Sequence, residues 1–218
     1  MKKLFTLLLL LTGLLVTAQN QKYHKAELIL VDGNQHKKGY AKVPDIGHKK
    51  VSFKTNNTTD NFDEIPSDDI KTIIFTTNSG KKYILERANS RDVYPRKSGE
   101  VWEKISKKKG WYFLEEYSDK MSMYIAGDTF KIDKNDVFIM KSSGQKHFTG
   151  FGYYFKRPGE KYLTFIYHSS NTGPFMEKYF RKTASTYFGK DSKLSERIMN
   201  KEFKGDEVYA LYRAYLKQ

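Results

Sequence analysis

Aromatic and basic side chains recur together in this chain, and together they offer one chemistry that its spacing supports: holding an anionic ligand. Lys107, Lys108 and Lys109 run into Trp111 after a single glycine, and Tyr153, Lys156 and Arg157 repeat the mixture further on. Ring faces stack on sugars or bases, while ammonium and guanidinium groups hold phosphate or carboxylate. The same pattern also suits a plain sheet, in which alternate aromatics pack the core and lysines guard the edges.

Covalent and metal chemistry find less. His24, His36, His48, His147 and His168 are scattered, with no i, i+4 pair of the kind that binds zinc on a helix. Asp133-Lys134-Asn135-Asp136 lacks the glycine and distal glutamate of a calcium loop and is expected to be a turn. There is no Gly-x-Ser-x-Gly elbow, and His168-Ser169-Ser170-Asn171 is adjacency along the chain rather than a triad. Asp68-Asp69 and Glu115-Glu116 are paired carboxylates, but strand neighbours point to opposite faces and cannot flank one bond. The sequons at Asn56 and Asn57 mark a polar loop. The chain is therefore expected to be non-enzymatic, with no cofactor and no metal. The alternatives are a divergent hydrolase with a site between its modules, and an interaction protein that docks a partner through its tail.

The elements that must position these residues are mostly strands. Apolar alternation and turn residues predict strands over 27–31, 38–43, 50–54, 70–76 and 81–87, a small antiparallel sheet, curled or barrel-like. Residues 88–99 carry little apolar content and are expected to be a connector, and 101–105 a short strand or one helical turn. A hairpin over 111–125, a strand over 137–140 and a second hairpin over 152–167, turning at Arg157-Pro158-Gly159-Glu160, form a second module. Pro174 then opens an amphipathic helix that Gly189 stops, and two shorter helices follow, begun at Asp191 or Ser192 and at Gly205-Asp206. The expected class is α+β: a β module over 19–98, a second over 99–170, and helices over 171–218 packing on the second.

The first eighteen residues set the compartment. Met1-Lys2-Lys3 precedes an apolar run over 4–16, and Val16-Thr17-Ala18 supplies small residues for a peptidase. This is the pattern of a secretory signal peptide cleaved after Ala18, since the run falls short of the roughly 18–20 residues needed to span a bilayer. With no cysteine, the exported chain has neither disulfides nor a lipid-anchoring thiol, and its fold stands on its own core. Loss of Lys2 and Lys3 takes the formal net charge from +14 to +12. Outside the cell such a surface meets acidic glycans or lipid head groups, or an envelope protein, and nucleic acid is disfavoured for want of a recognition motif. The lysines are spread along the chain, which also suits plain solubility.

Several stretches together carry a resemblance: KKGYAKV at 37–43, IPSDDIKTIIF at 65–75, GKKYILER at 80–87, WYFLEEYSDKMSMYI at 111–125, YYFKRPGEKYLTFIY at 153–167 and the tail at 187–217. With a leader ending in VTAQ, they resemble exported β-rich proteins of Bacteroidota that have no assigned biochemical role. The resemblance implies that phylum and a periplasmic or extracellular location, and no catalytic residue, cofactor or ligand.

Overall fold

The computed structural model describes residues 22–58, 61–96, 98, 100–142, 150–170, 173–189 and 192–218. The leader with its cleavage site, and His147, lie outside the described residues.

The chain runs through β1 (His24–Leu30), β2 (His36–Ala41), β3 (Lys50–Lys54), β4 (Asp63–Pro66), β5 (Ile70–Thr76), β6 (Lys82–Ala88), β7 (Ser90–Pro95) and β8 (Val101–Ile105). It continues through β9 (Gly110–Tyr117), β10 (Ser122–Ala126), β11 (Thr129–Ile132), β12 (Phe138–Lys141), β13 (Gly152–Lys156) and β14 (Leu163–His168). Helices α1 (Pro174–Phe188), α2 (Lys193–Met199) and α3 (Val208–Leu216) close it, so the class is α+β and sheet-dominated.

Among the described residues, twelve strands form one sheet in the order β4-β3-β2-β1-β5-β6-β9-β10-β13-β14-β7-β8, and β11 pairs β12 apart from it. The two expected modules share this sheet, joined where β6 pairs β9 from Leu85↔Phe113 to Ala88↔Gly110. Residues 88–99, expected to be a connector, instead contribute β7. Its side chains are mostly polar because strand pairing and ion pairs hold it where apolar burial usually would. Arg91 donates from Nε to the buried Thr164 Oγ1 at 2.8 Å, and its Nη1 and Nη2 reach Glu103 and Glu160, each at 3.3 Å. Val93 is its one fully apolar inward residue.

β6 and β7 are one strand interrupted at Asn89. The ladder β6-β9-β10-β13-β14-β7 therefore returns to the strand it left, and the sheet closes there. Irregularities at Met123/Tyr124 and Tyr153/Tyr154 supply bends of the kind that closure requires. Ala88, Tyr112, Tyr124, Ala126 and Leu163, with Tyr154 against them, pack as one cluster drawn from all five strands of the ring. Tyr112 meets Tyr154 edge-on at 4.9 Å. The ring is thus built mostly from the second module, with β6 of the first as one of its staves.

Two larger cores flank this ring. The first gathers Leu28, Val51, Ile70, Ile73, Phe75 and Leu85 under the β11-β12 ribbon, whose Phe130 and Ile132 are buried there. Phe138 stacks on Phe113 at 4.5 Å. The second places Met121, Met123, Phe155 and Ile166 under the helices. There Phe180, Leu194, Ile198 and Leu211 pack down, each contributing about 1.5–3 kcal/mol, with Ala184 and Tyr212 buried beside them. Pro174 stands at the start of α1 behind Gly173, and Ser192 caps α2 by accepting the Ser195 N–H at 3.1 Å.

Candidate functional site

Of the residues singled out in the sequence, the structure buries the most prominent. Trp111 is fully buried in the first core, where its Nε1–H donates to Ser67 Oγ at 3.3 Å and the Arg87 guanidinium lies 5.6 Å from its ring centre. It is not available to a ligand; strand alternation set the spacing of the aromatics but not which face water reaches. Tyr153 is half-buried in the second core beside Tyr209, so it and Trp111 do not share a surface. Lys156 Nζ pairs with Glu86, whose other carboxylate oxygen accepts the Tyr124 hydroxyl.

Arg157 is equally committed. Its Nη2 donates to the Tyr187 carbonyl at 2.9 Å, and its guanidinium lies 4.4 Å from the Tyr187 ring centre, with Phe188 and Tyr215 beyond. Glu160 accepts the Arg157 N–H and the Tyr187 hydroxyl, at 2.8 and 2.9 Å. These contacts tie the 156–160 turn, where Gly159 takes the φ of +82° that favours glycine, to the end of α1. Lys107 and Lys108 are exposed and Lys109 half-exposed, in the loop from β8 to β9.

A cleft of about 460 Å³ opens where the end of β14 meets α1 and the α2–α3 connection. It is lined by Tyr167, Glu177, Arg181, Lys201, Phe203 and Lys204, among others. Glu177 and Arg181 are one helical turn apart and so share a face of α1. Their contact is loose, Arg181 Nη1 to Glu177 Oε2 at 3.7 Å, because the carboxylate is engaged elsewhere: both its oxygens accept the Gly205 N–H, at 3.1 and 3.2 Å. Gly205 can sit there only without a side chain, since a Cβ would run into the Tyr167 ring. Phe203 and Tyr167 are buried and give the cleft an apolar base.

Lys201 owes its place to the end of α2. Its N–H bonds the Ile198 carbonyl and the next N–H, of Glu202, bonds that of Arg197, each at 3.1 Å. This is the Schellman arrangement, in which the residue after the cap adopts a left-handed backbone and is usually glycine. Here it is a lysine, at φ +66°. Among the described residues, neither the Lys201 nor the Lys204 ammonium has a hydrogen-bond or ion-pair partner. Burial raises the Tyr167 pKa, and the charges of Glu177 and Asp206 raise it further, so the phenol stays protonated near neutral pH. The cleft thus sets three cations against the carboxylates of Glu177, which is engaged by the Gly205 N–H, and Asp206, over the neutral phenol of Tyr167 and the ring of Phe203. The excess of cations can hold a carboxylate or phosphate on a ring-shaped molecule.

Histidine chemistry is local. His36 Nδ1 lies 2.7 Å from Glu27, and His48 Nε2 lies 3.3 Å from Asp45. His168 Nδ1 faces both the hydroxyl of Ser170 at 2.7 Å and its N–H at 3.4 Å, a contact across two residues that closes the turn after β14. Burial lowers the pKa of His168, with Asp128 opposing, so the ring is neutral at pH 7. Among the described residues, no three histidine or carboxylate side chains converge to hold a metal.

The cleft was not found from sequence. The signals that pointed to it were the i, i+4 pair of Glu177 and Arg181, and a lysine where the end of α2 calls for glycine. No family model, curated protein or solved structure matches this chain, so the reading of the site rests on its own geometry.

Proposed function

We propose that this protein is a non-catalytic binding component of the bacterial envelope that takes an anionic ligand in the cleft of Arg181, Lys201 and Lys204. The observation that carries the reading is a pair of ammonium groups without partners among the described residues, beside a loosely paired guanidinium and over an aromatic base. Charges left without a protein partner at a concave surface are available to a ligand, whereas Lys156 is paired with Glu86 and Arg157 is held by the Tyr187 carbonyl and ring. The ligand class is an acidic glycan, whose carboxylate or phosphate the cations hold while its ring lies on Phe203 and Tyr167. The leader supports export, and the mature charge of +12 supports an anionic partner. Among the described residues, no helix is long and apolar enough to cross a membrane.

Chromatography on an immobilised acidic polysaccharide tests this. The mature chain is expected to be retained at low salt and released as the Debye length contracts below about 8 Å. Release at low salt would contradict the reading. Equal capture by anionic vesicles would move the ligand from glycan to lipid head group.

A further inference from the structure

Helix α1 has two shoulders, and the cleft occupies only one. On the other, three aromatic rings lie in a row. Tyr94 faces Trp102 across the β7-β8 ladder with ring centres 4.6 Å apart, and Tyr179 of α1 stands 5.9 Å from Tyr94. All three are half-buried, so each leaves part of its ring at the surface. Phe175, one turn before Tyr179 on the same helix face, is 77% exposed.

A carboxylate accompanies the row. Asp92 precedes Tyr94 by two residues on β7, projects from the same face, and stands opposite Lys104 in the ladder. Its charge raises the pKa of Tyr179 in the row, and also those of Tyr112 and Tyr154 within the ring of strands, so it stands between the two. Asp92 is half-buried, and among the described residues no hydrogen bond or ion pair holds its carboxylate. Burial raises its pKa while Lys104 pulls it back, the mark of a carboxylate short of donors.

We infer that Tyr94, Trp102 and Tyr179 form a stacking site for a neutral saccharide chain, with Asp92 accepting its hydroxyl hydrogens and Lys104 donating to its oxygens. Pyranose rings present apolar C–H faces that match aromatic faces and a rim of hydroxyls that match a free carboxylate. The rings are tilted by 40° and 57° to one another, so they offer facets for successive sugar units where a flat apolar partner would need a plane. Asp92 repels a polyanion, which separates this ligand from the acidic one of the cleft. The site stands independently of that reading.

The chain contains two tryptophans, and Trp111 is fully buried, so a ligand on this row alters the emission of Trp102. Titration of the mature chain with cellohexaose, mannohexaose and chitohexaose is expected to give a saturable emission change with at least one of them. Calorimetry with that sugar then compares variants. Tyr94→Ala and the near-isosteric Asp92→Asn should each weaken binding about tenfold, while Arg181→Gln with Lys204→Gln leaves it unchanged. Absence of saturable binding with all three sugars overturns the inference, as does wild-type affinity in Asp92→Asn, which keeps the test open if Tyr94→Ala fails to fold. An emission change that grows with protein concentration and needs no sugar would assign the row to a second copy of the chain, and would also overturn it.

Discussion

Arg157 and Arg181 both lie in the second half of the molecule near tyrosine rings, and they serve opposite ends. Arg157 stacks on Tyr187, donates to that residue's carbonyl and sits beside Glu160. Among the described residues, Arg181 has one loose ion pair, with a carboxylate whose oxygens are turned to Gly205, and it borders a cleft shared with two unpartnered lysines. The same contrast separates Trp111, sealed in the first core under Arg87, from Trp102, half-open at the sheet edge. Residue type does not distinguish a structural cation or aromatic from a ligand-binding one. What distinguishes them is whether the protein's own groups already satisfy it.

Substitutions at the sealed sites should break the fold first. Trp111→Ala is expected to cost about 4 kcal/mol, since it empties a fully buried site and orphans Ser67. Arg157→Ala should cost about 3 kcal/mol by stripping the end of α1 of its anchor, with thermal denaturation as the readout for both. If either variant melts like the parent, the division between sealed and open groups fails.

In the cleft the effects should appear as lost binding without lost stability. Lys201→Gly sharpens the contrast most, because it relieves a left-handed backbone and deletes a ligand contact together. Stability should rise by about 0.5–1 kcal/mol while affinity for an acidic glycan falls. A gain in stability with unchanged affinity would leave Lys201 as a mere helix stop.

The smallest effect concerns protons. Burial depresses the pKa of His24 and His168 in the folded chain below the unfolded value of about 6.5. As pH falls through 6.5 the unfolded state takes up protons first, so stability is full above that value and declines below it. The melting temperature should drop on acidification from pH 7 to 5, and His168→Gln should remove part of the drop.

Much of the framework was legible in the chain. β3, β5 and β13 fall where alternation places them, and Pro174 and Gly189 bound the first helix as their backbone preferences require. β7 was hidden because Arg91 ties it to Glu103 on β8 and Glu160 in the β13–β14 turn, contacts that leave no apolar alternation to see. β11 is a four-residue strand whose buried Phe130 and Ile132 are too few to register as a period. Trp111 and Tyr153 looked alike because alternation reveals which residues share a face and never which face is covered. The cleft draws on β14, α1 and the α2–α3 connection, so it exists only once the helices have packed.

The claim that the open cations, and not the lysine run, bind the ligand is tested most directly by one paired titration. Affinity for an acidic oligosaccharide would be measured by calorimetry in two charge-matched triple variants of the mature chain. One carries Arg181→Gln, Lys201→Gln and Lys204→Gln, and the other Lys107→Gln, Lys108→Gln and Lys109→Gln. Binding should be lost in the first, with a fall of about a hundredfold or more, and change by less than about threefold in the second. Equal losses in both, or a loss confined to the second, would contradict the account.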